Sequence, residues 1–233
     1  MSWLQQRAAG PELLDAPHIN TQALYRNLDE LNLINQRLGG HATVLAGLKA
    51  LCGQHTTLSV AELGSGGGDN LAAMVRWGGK KGVNIQPLAI DLKADCNAYA
   101  RKRPALAKAE FYTCDYRQAL FTKQPDIIFS SLFCHHFTNQ QLVDQLQWMQ
   151  ANSRLGFFIA DVHRHPLAYG SIWLLTRLFS KSYLVKHDAP LSVARGFKSA
   201  EWHLLLQQAG IKDYALSWHW AFRYLIVYKH HAC

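Results

Sequence analysis

Short apolar runs alternate with amphipathic stretches along the chain. An apolar run without helical spacing is typical of a strand that is buried on both faces of a parallel sheet. The runs that carry this pattern are 60–63, 85–91, 109–115, 125–132 and 156–161. Because stretches long enough for a helix separate them, the alternation predicts an α/β fold with a doubly wound parallel sheet.

The amphipathic stretches predict helices that cover this sheet. Leucines at helical spacing run through 21–38, and Gly39 and Gly40 end that helix. Further helices are predicted over 41–51, 70–77, 94–103, 139–151 and 200–208, followed by hairpin strands over 214–220 and 222–228. The whole pattern predicts a seven-stranded, Rossmann-like sheet with an antiparallel end, an N-terminal helical cap and a helical insertion before the last strands.

The first predicted strand runs into a glycine-rich loop at the start of a predicted helix. Gly64, Gly66 and Gly68 allow positive φ and a close approach of the backbone to a ligand. The N-terminus of the following helix offers unpaired N–H groups to that ligand. A dinucleotide fingerprint would need a glycine at position 69, where Asp69 stands. The pattern is instead an acid, Glu62, followed by glycine at every second position.

Two further predicted strands also end in an acid. Asp91 ends the second strand, where a carboxylate can accept hydrogen bonds from both hydroxyls of an adenosine ribose. Asp115 ends the third strand. Because the carboxyl ends of parallel strands meet at one edge of the sheet, these acids are expected to contact one nucleoside together with Glu62.

This pattern of glycines and strand-end acids resembles that of class I S-adenosylmethionine (SAM) dependent methyltransferases. The resemblance implies SAM as the cofactor and methyl transfer as the reaction. It also implies that Asp115 faces the adenine amino group, that Cys114 and Tyr116 lie beside the ring, and that Leu92 is an apolar contact. The predicted cofactor-binding residues are Glu62, Gly64, Ser65, Gly66, Gly68, Asp69, Asp91, Leu92, Cys114, Asp115, Tyr116 and Ser131.

A narrower resemblance, to bacterial methyltransferases of quinone, phenolic-lipid or aromatic polyketide tailoring, rests on the stretches 31–41, 131–137 and 187–193. It implies a hydroxyl, or a carbon, of a small hydrophobic aromatic or polyketide-like acceptor. His135 and His136 follow the fourth strand, beside the expected methyl position, and either could act as a base or orient the acceptor. His187 is the next candidate.

Composition limits the class of protein. Hydrophobic residues make up 49% of the 233 residues and charged residues 17%, which is typical of a folded globular chain. The net charge of +8 is spread along the chain, so no nucleic-acid partner is expected. The five cysteines form no C-x-x-C pair, and neither an apolar leader nor a membrane-spanning run is present, so a cytoplasmic protein with reduced thiols is expected.

The sequence also permits two other functions. The net charge of +8 would also suit an RNA or protein methyltransferase, and a protein that only binds SAM would carry the same motif. No metal is predicted, because the pairs His163-x-His165 and His230-His231 lack acid or cysteine ligands at suitable spacing.

The chain is predicted to be a single methyltransferase domain. Its parts are an arm with cap helices (1–56), a cofactor-binding core (57–162), a substrate-side insertion (163–198) and a C-terminal helix with a hairpin (199–233). The apolar stretch 167–175 could cover a hydrophobic pocket, contact a membrane surface or form an ordinary core helix. A loop is predicted over 186–192, which contains Pro190.

Overall fold

The computed structural model describes residues 4–230. Its strands are β1 (Thr57–Leu63), β2 (Asn84–Asp91), β3 (Glu110–Thr113), β4 (Ile127–Ser131), β5 (Gly156–Val162), β6 (Tyr214–His219) and β7 (Arg223–Lys229). They form one sheet in the order β3-β2-β1-β4-β5-β7-β6. Strands β1 to β5 are parallel, and β7 is antiparallel to both of its neighbours. The predicted seven-stranded sheet with an antiparallel end is confirmed.

Helices cover the sheet and form its cap. They are α1 (Thr21–Arg37), α2 (Gly40–Cys52), α3 (Asp69–Lys81), α4 (Ala94–Ala100), α5 (Asn139–Asn152), α6 (Pro166–Phe179), α7 (Tyr183–Arg195) and α8 (Ser199–Gln208). Short 3-10 helices lie at Leu13–Asp15, Pro104–Leu106, Tyr116–Gln118 and Cys134–His136. Among residues 4–230, each helix is too short or too polar to cross a bilayer.

The two faces of the sheet are buried by different helices, because successive strand residues point to opposite sides. In β1, Leu58 and Val60 belong to the core cluster that contains side chains of α2 and α3. Ala61 and Leu63 belong to the cluster that contains side chains of α5 and α8. Every residue of β5 is buried, as expected for a strand between two helical layers.

The stretch around Pro190 is a helix and not the predicted loop. Pro190 lies inside α7, although a proline in a helix interior removes one hydrogen bond and is locally unfavourable. The packing of α7 outweighs this cost, since Leu184, Val185 and Pro190 itself are buried. The loop prediction over 186–192 is therefore wrong.

Helix α6 leaves most of its large apolar side chains exposed. Trp173, Leu178 and Phe179 are exposed, and only Ala168 and Thr176 are buried. The apolar stretch 167–175 is therefore not a core helix. Contact with a membrane surface stays a prediction for this helix.

Candidate active site

A cavity of about 370 Å³ opens at the carboxyl ends of β1, β2 and β4. Helix α1 closes one side of it with Leu28, Leu31 and Asn35, and the N-terminal arm contributes Leu14 and Asp15. Of the residues predicted to bind the cofactor, all except Gly68 line this cavity. The structure thus brings together residues that the sequence places on four strands and the segments that follow them.

The glycine-rich loop adopts the predicted backbone. Gly64, Gly66 and Gly68 have φ angles of +67°, +49° and +67°. A Cβ atom on Gly64 would lie 2.3 Å from Cδ2 of Phe133, so only glycine fits against that ring. A Cβ atom on Gly66 would meet only Cδ2 of Leu28, at 3.7 Å. The space at Gly66 therefore belongs to the cavity and not to the packed interior.

Glu62 is buried beneath this loop. Its Oε1 accepts a hydrogen bond of 2.8 Å from Nδ2 of Asn70, whereas its Oε2 has no protein partner. Ser65 Oγ and Asn70 Oδ1 also lack partners, and all three residues line the cavity. Buried polar atoms are rarely left unpaired, so this wall fits a polar ligand such as the amino-acid end of SAM. Burial raises the pKa of Glu62 well above its ordinary value.

The raised pKa of Glu62 predicts how the ligand-free protein responds to pH. The folded chain keeps a proton on Glu62 that the unfolded chain releases above its ordinary pKa of 4.5, so this group costs stability progressively as pH rises. Glu62→Gln cannot ionise and should escape that cost. We expect its melting temperature to exceed that of the wild type by a margin that grows as the pH rises above 4.5. Each gain of about 1 kcal/mol corresponds to about 2–4 °C in a chain of this size.

Differential scanning fluorimetry without SAM measures this margin. Asp95→Asn is the control, because Asp95 is exposed and lies outside the cavity. A margin for Glu62→Gln that stays constant with pH would show that Glu62 is ionised in the folded protein.

Asp91 is held by two backbone donors at the end of β2. Its Oδ2 accepts the N–H of Gly66 and its Oδ1 accepts the N–H of Lys93, each at 2.8 Å. Burial raises the pKa of this carboxyl. Each oxygen keeps a second lone pair, so the carboxylate can accept two further hydrogen bonds from a ligand.

The third strand-end acid already has a partner. Both oxygens of Asp115 accept hydrogen bonds from the guanidinium of Arg117, and this pair lowers the pKa of Asp115. The ring of Tyr116 packs edge-on against Phe133 and Trp148. Cys114 lines the cavity beside them, so this wall combines aromatic and sulfur contacts with the Asp115–Arg117 pair.

Asp69 connects the loop to the helical cap, a role that the motif does not reveal. It accepts a hydrogen bond of 3.1 Å from Nδ2 of Asn35 and contacts Nε2 of His41 at 2.8 Å. Burial alone would raise the pKa of Asp69, but these two partners hold it below its ordinary value. Helices α1 and α2 are therefore tied to the first residue of α3.

The candidate histidines lie in different surroundings. His136 lines the cavity, with Nδ1 3.0 Å from Oδ1 of Asp15 and Nε2 3.8 Å from Oε2 of Glu12. His135 is buried behind it, with Nδ1 2.8 Å from Oδ1 of Asp161. Burial would lower the pKa of His135, but Asp161 and Glu12 raise it to about 9.

His187 does not join these two histidines. It lies on α7 with an exposed side chain, pairs with its neighbour Asp188, and does not line the cavity. The structure therefore leaves His136, of the candidate bases, at the cavity wall.

The N-terminal arm is part of the site, although its sequence shows little pattern. Asp188 on α7 accepts the N–H groups of Leu13 and Leu14 at 2.8 and 2.9 Å. Arg195 donates to the carbonyl oxygen of Gly10, and Lys93 donates to that of Ala16. These contacts hold the arm at the cavity, next to the histidines.

Known proteins share this fold and this domain. Residues 60–156 match the family model described as "Methyltransferase domain". A search of curated proteins finds no match.

Solved structures of methyltransferases are similar to the chain at low sequence identity. Human N-acetylserotonin methyltransferase in complex with SAM has a TM-score of 0.66 at 15% identity, over 97% of this chain and 61% of that one. An O-methyltransferase family 2 protein from Planctomyces limnophilus in complex with apigenin has a TM-score of 0.63 at 14% identity, over 91% and 62%. This chain thus spans less than two thirds of either protein.

A third structure is matched over its whole length. Magnesium protoporphyrin IX methyltransferase from Synechocystis PCC 6803 with bound SAM has a TM-score of 0.58 at 12% identity, over 93% of this chain and 100% of that one. All three likenesses concern the fold.

Proposed function

We propose that this SAM-dependent methyltransferase, whose residues 60–156 match the model of a methyltransferase domain, methylates a hydroxyl, or a carbon, of a small hydrophobic aromatic or polyketide-like molecule. The observation that carries this proposal is the acceptor side of the cavity. There the rings of Phe133 and Phe137 and the side chain of Leu14 lie beside His136. A wall of apolar side chains with a few polar groups among them suits a small apolar acceptor.

The charge of the cavity favours a small acceptor over RNA. The chain as a whole carries a net charge of +8, but the ionisable residues that line the cavity are mostly acidic. Repulsion between carboxylates and phosphates would weaken RNA binding at this site. The acids concerned are Asp15, Asp69, Asp91, Asp115 and Asp144, against Lys93 and Arg117.

Similar proteins support an aromatic acceptor. One is named for N-acetylserotonin, and another was solved with apigenin; both compounds are small and aromatic. The same chemistry fits the apolar wall beside His136.

The residues at one end of the cavity would bind the cofactor, and those at the other end would act on the acceptor. When bound, SAM supplies a methyl group that is already activated on a sulfonium, so the protein mainly orients the acceptor and excludes water. Asp91 would hold the ribose hydroxyls, and the unpaired atoms of Glu62, Ser65 and Asn70 would face the polar end of the cofactor. His136 would orient the acceptor hydroxyl or receive its proton.

Formation of S-adenosylhomocysteine with a panel of acceptors tests the proposal. Apolar phenols and hydroxylated polyketide-like compounds are compared with bulk RNA and with a mixture of unmodified proteins. Turnover with members of the small-molecule panel alone supports the proposal. Turnover with RNA or protein alone would overturn it.

Asp91→Asn is expected to raise the Kd for SAM by about 10- to 100-fold, the loss of one charge-assisted contact of about 1.5–3 kcal/mol. The amide keeps the shape of the side chain and one acceptor oxygen for the loop, so the fold should persist. Isothermal titration calorimetry measures the Kd, with Asp95→Asn as the matched control on the exposed face of α4. Equal Kd values for Asp91→Asn and the wild type would remove Asp91 from the cofactor site.

A further inference from the structure

Glu12, His135 and His136 converge beneath the N-terminal arm. Within residues 4–230, they are the one set of three histidine, cysteine or acidic side chains whose candidate ligand atoms all lie within 4.8 Å of one another. Glu12 and His135 are buried, and His136 is partly buried. The sequence predicts no such site, because Glu12 is distant along the chain and belongs to a stretch without pattern.

The spacing of these atoms suits ligands that share an ion. Nε2 of His135 lies 3.3 Å from Oε1 of Glu12, and Nε2 of His136 lies 3.8 Å from Oε2. The 3.8 Å separation exceeds the length of a hydrogen bond, which is about 2.7–3.2 Å, whereas the 3.3 Å separation lies close to its upper limit. Bonds from Zn²⁺ to nitrogen or oxygen are about 2.0–2.2 Å, which places two ligand atoms on one tetrahedral ion about 3.4 Å apart.

Each histidine ring also has a carboxylate at its other nitrogen, which is common for histidines that bind a metal. Nδ1 of His135 lies 2.8 Å from Asp161, and Nδ1 of His136 lies 3.0 Å from Asp15. A histidine that binds a metal through one nitrogen commonly donates its other N–H to a carboxylate, which fixes the tautomer and turns the free lone pair toward the ion. Here both rings meet a carboxylate at Nδ1 and turn Nε2 toward Glu12.

One of these inner atoms has no hydrogen bond. The side chain of His135 is only 2% exposed, and its Nε2 makes no hydrogen bond within the described part of the chain. Glu12 is fixed in place, because its Oε1 also accepts a hydrogen bond of 2.8 Å from Ser192. A buried imidazole nitrogen that is aimed at a fixed carboxylate is suited to share an ion with it.

An ion could reach this position. His136 lines the main cavity, and both histidines line a second cavity of about 390 Å³ on the other side. The nearby guanidinium groups of Arg7 and Arg195 donate to the carbonyl oxygen of His135 and not to the Glu12 carboxylate.

We propose that Glu12, His135 and His136 bind one divalent transition-metal ion, with Asp161 and Asp15 as positioning residues. Two imidazoles and one carboxylate suit Zn²⁺ and similar ions better than Mg²⁺ or Ca²⁺, which prefer oxygen ligands.

The catalytic role of this site rests on the function proposed above. An ion beside His136 would bind the acceptor oxygen and make its hydroxyl more acidic. The proton leaves to water, the new O–CH₃ bond forms as the S–CH₃ bond of SAM breaks, and neutral S-adenosylhomocysteine leaves. His136 would then act on the acceptor through the ion.

Calorimetric titration with ZnCl₂ alone, on protein first treated with a chelator, tests the binding. We expect one ion per chain in the wild type. Glu12→Gln should weaken binding by more than about 100-fold, which exceeds the range for the loss of an outer partner. Asp15→Asn, which removes an outer partner, should weaken it by about 10- to 100-fold. His165→Gln is the control, because His165 is a histidine that packs against His163 and does not belong to this cluster.

The Kd for SAM of every variant shows whether it is folded. The site would be overturned if the wild type bound no stoichiometric Zn²⁺. It would also be overturned if binding survived Glu12→Gln and was lost in His165→Gln. Binding with the expected dependence supports it even if no acceptor is ever methylated, so failure of the proposed function gives a different result.

Discussion

Replacing Gly66 with leucine is expected to raise the Kd for SAM by at least about 100-fold, which corresponds to about 2.7 kcal/mol. Gly66 has a φ of +49°, and a side chain there would meet only Leu28 before it enters the cavity. The leucine would therefore fill the space of the ligand, and its strained backbone would also weaken the N–H contact with Asp91. Isothermal titration calorimetry with SAM measures the change.

Gly82→Leu separates the effect of backbone strain from the effect of filling the cavity. Gly82 ends α3 with a φ of +70° and has no heavy atom within 4 Å of its Cβ position, so a leucine there suffers similar strain but touches no cavity residue. Both variants should lose a similar amount of stability, about 1–2 kcal/mol. Only Gly66→Leu should lose SAM. A Gly66→Leu protein that keeps wild-type affinity would show that the cofactor lies elsewhere.

Replacing His136 with alanine is expected to lower kcat by about 100- to 10,000-fold, the usual contribution of a group that moves a proton in the transition state. Its imidazole reaches the cavity wall while Asp15 and Glu12 fix its orientation. The glycine-rich loop is on another part of the wall, so the Kd for SAM should stay unchanged. Turnover with a methylated acceptor from the panel and calorimetry with SAM give the two values.

His203→Ala is the matched control, since His203 lies exposed on α8 outside the cavity. It should keep both kcat and the Kd for SAM. Unchanged kcat in His136→Ala would reject His136 as base, as orienting group and as an ion ligand that matters for turnover.

The part of the cavity that we propose for the cofactor could be predicted, because local sequence determines its geometry. The positive φ angles of Gly64 and Gly66 and the strand-end position of Asp91 follow from residue type and spacing within short segments. Parallel strands then bring these segments to one edge of the sheet, independently of how the helices pack. Only Gly68, which packs against Leu106 and Ala100, lies outside the cavity.

The part of the cavity that we propose for the acceptor could not be predicted in this way, because long-range contacts build it. The arm carries no periodic pattern, yet Asp188 binds its backbone from a position more than 170 residues away along the chain. Asp188 itself lies in a helix that Pro190 makes unfavourable locally, so the helix depends on packing. Hence Glu12 and Asp15 could not be assigned to the site, although the His135-His136 pair could.

The most direct test of a small-molecule methyltransferase uses SAM with a labelled methyl group, mixed with the purified protein and an extract of the host cell. The label is then counted separately in the organic-soluble, RNA and protein fractions, with Gly66→Leu as the blank. Label that enters the organic-soluble fraction with the wild type and not with Gly66→Leu is the result we predict, and it delivers the product for identification. Label that enters RNA or protein, or no transfer by a wild type that binds SAM, would contradict the account.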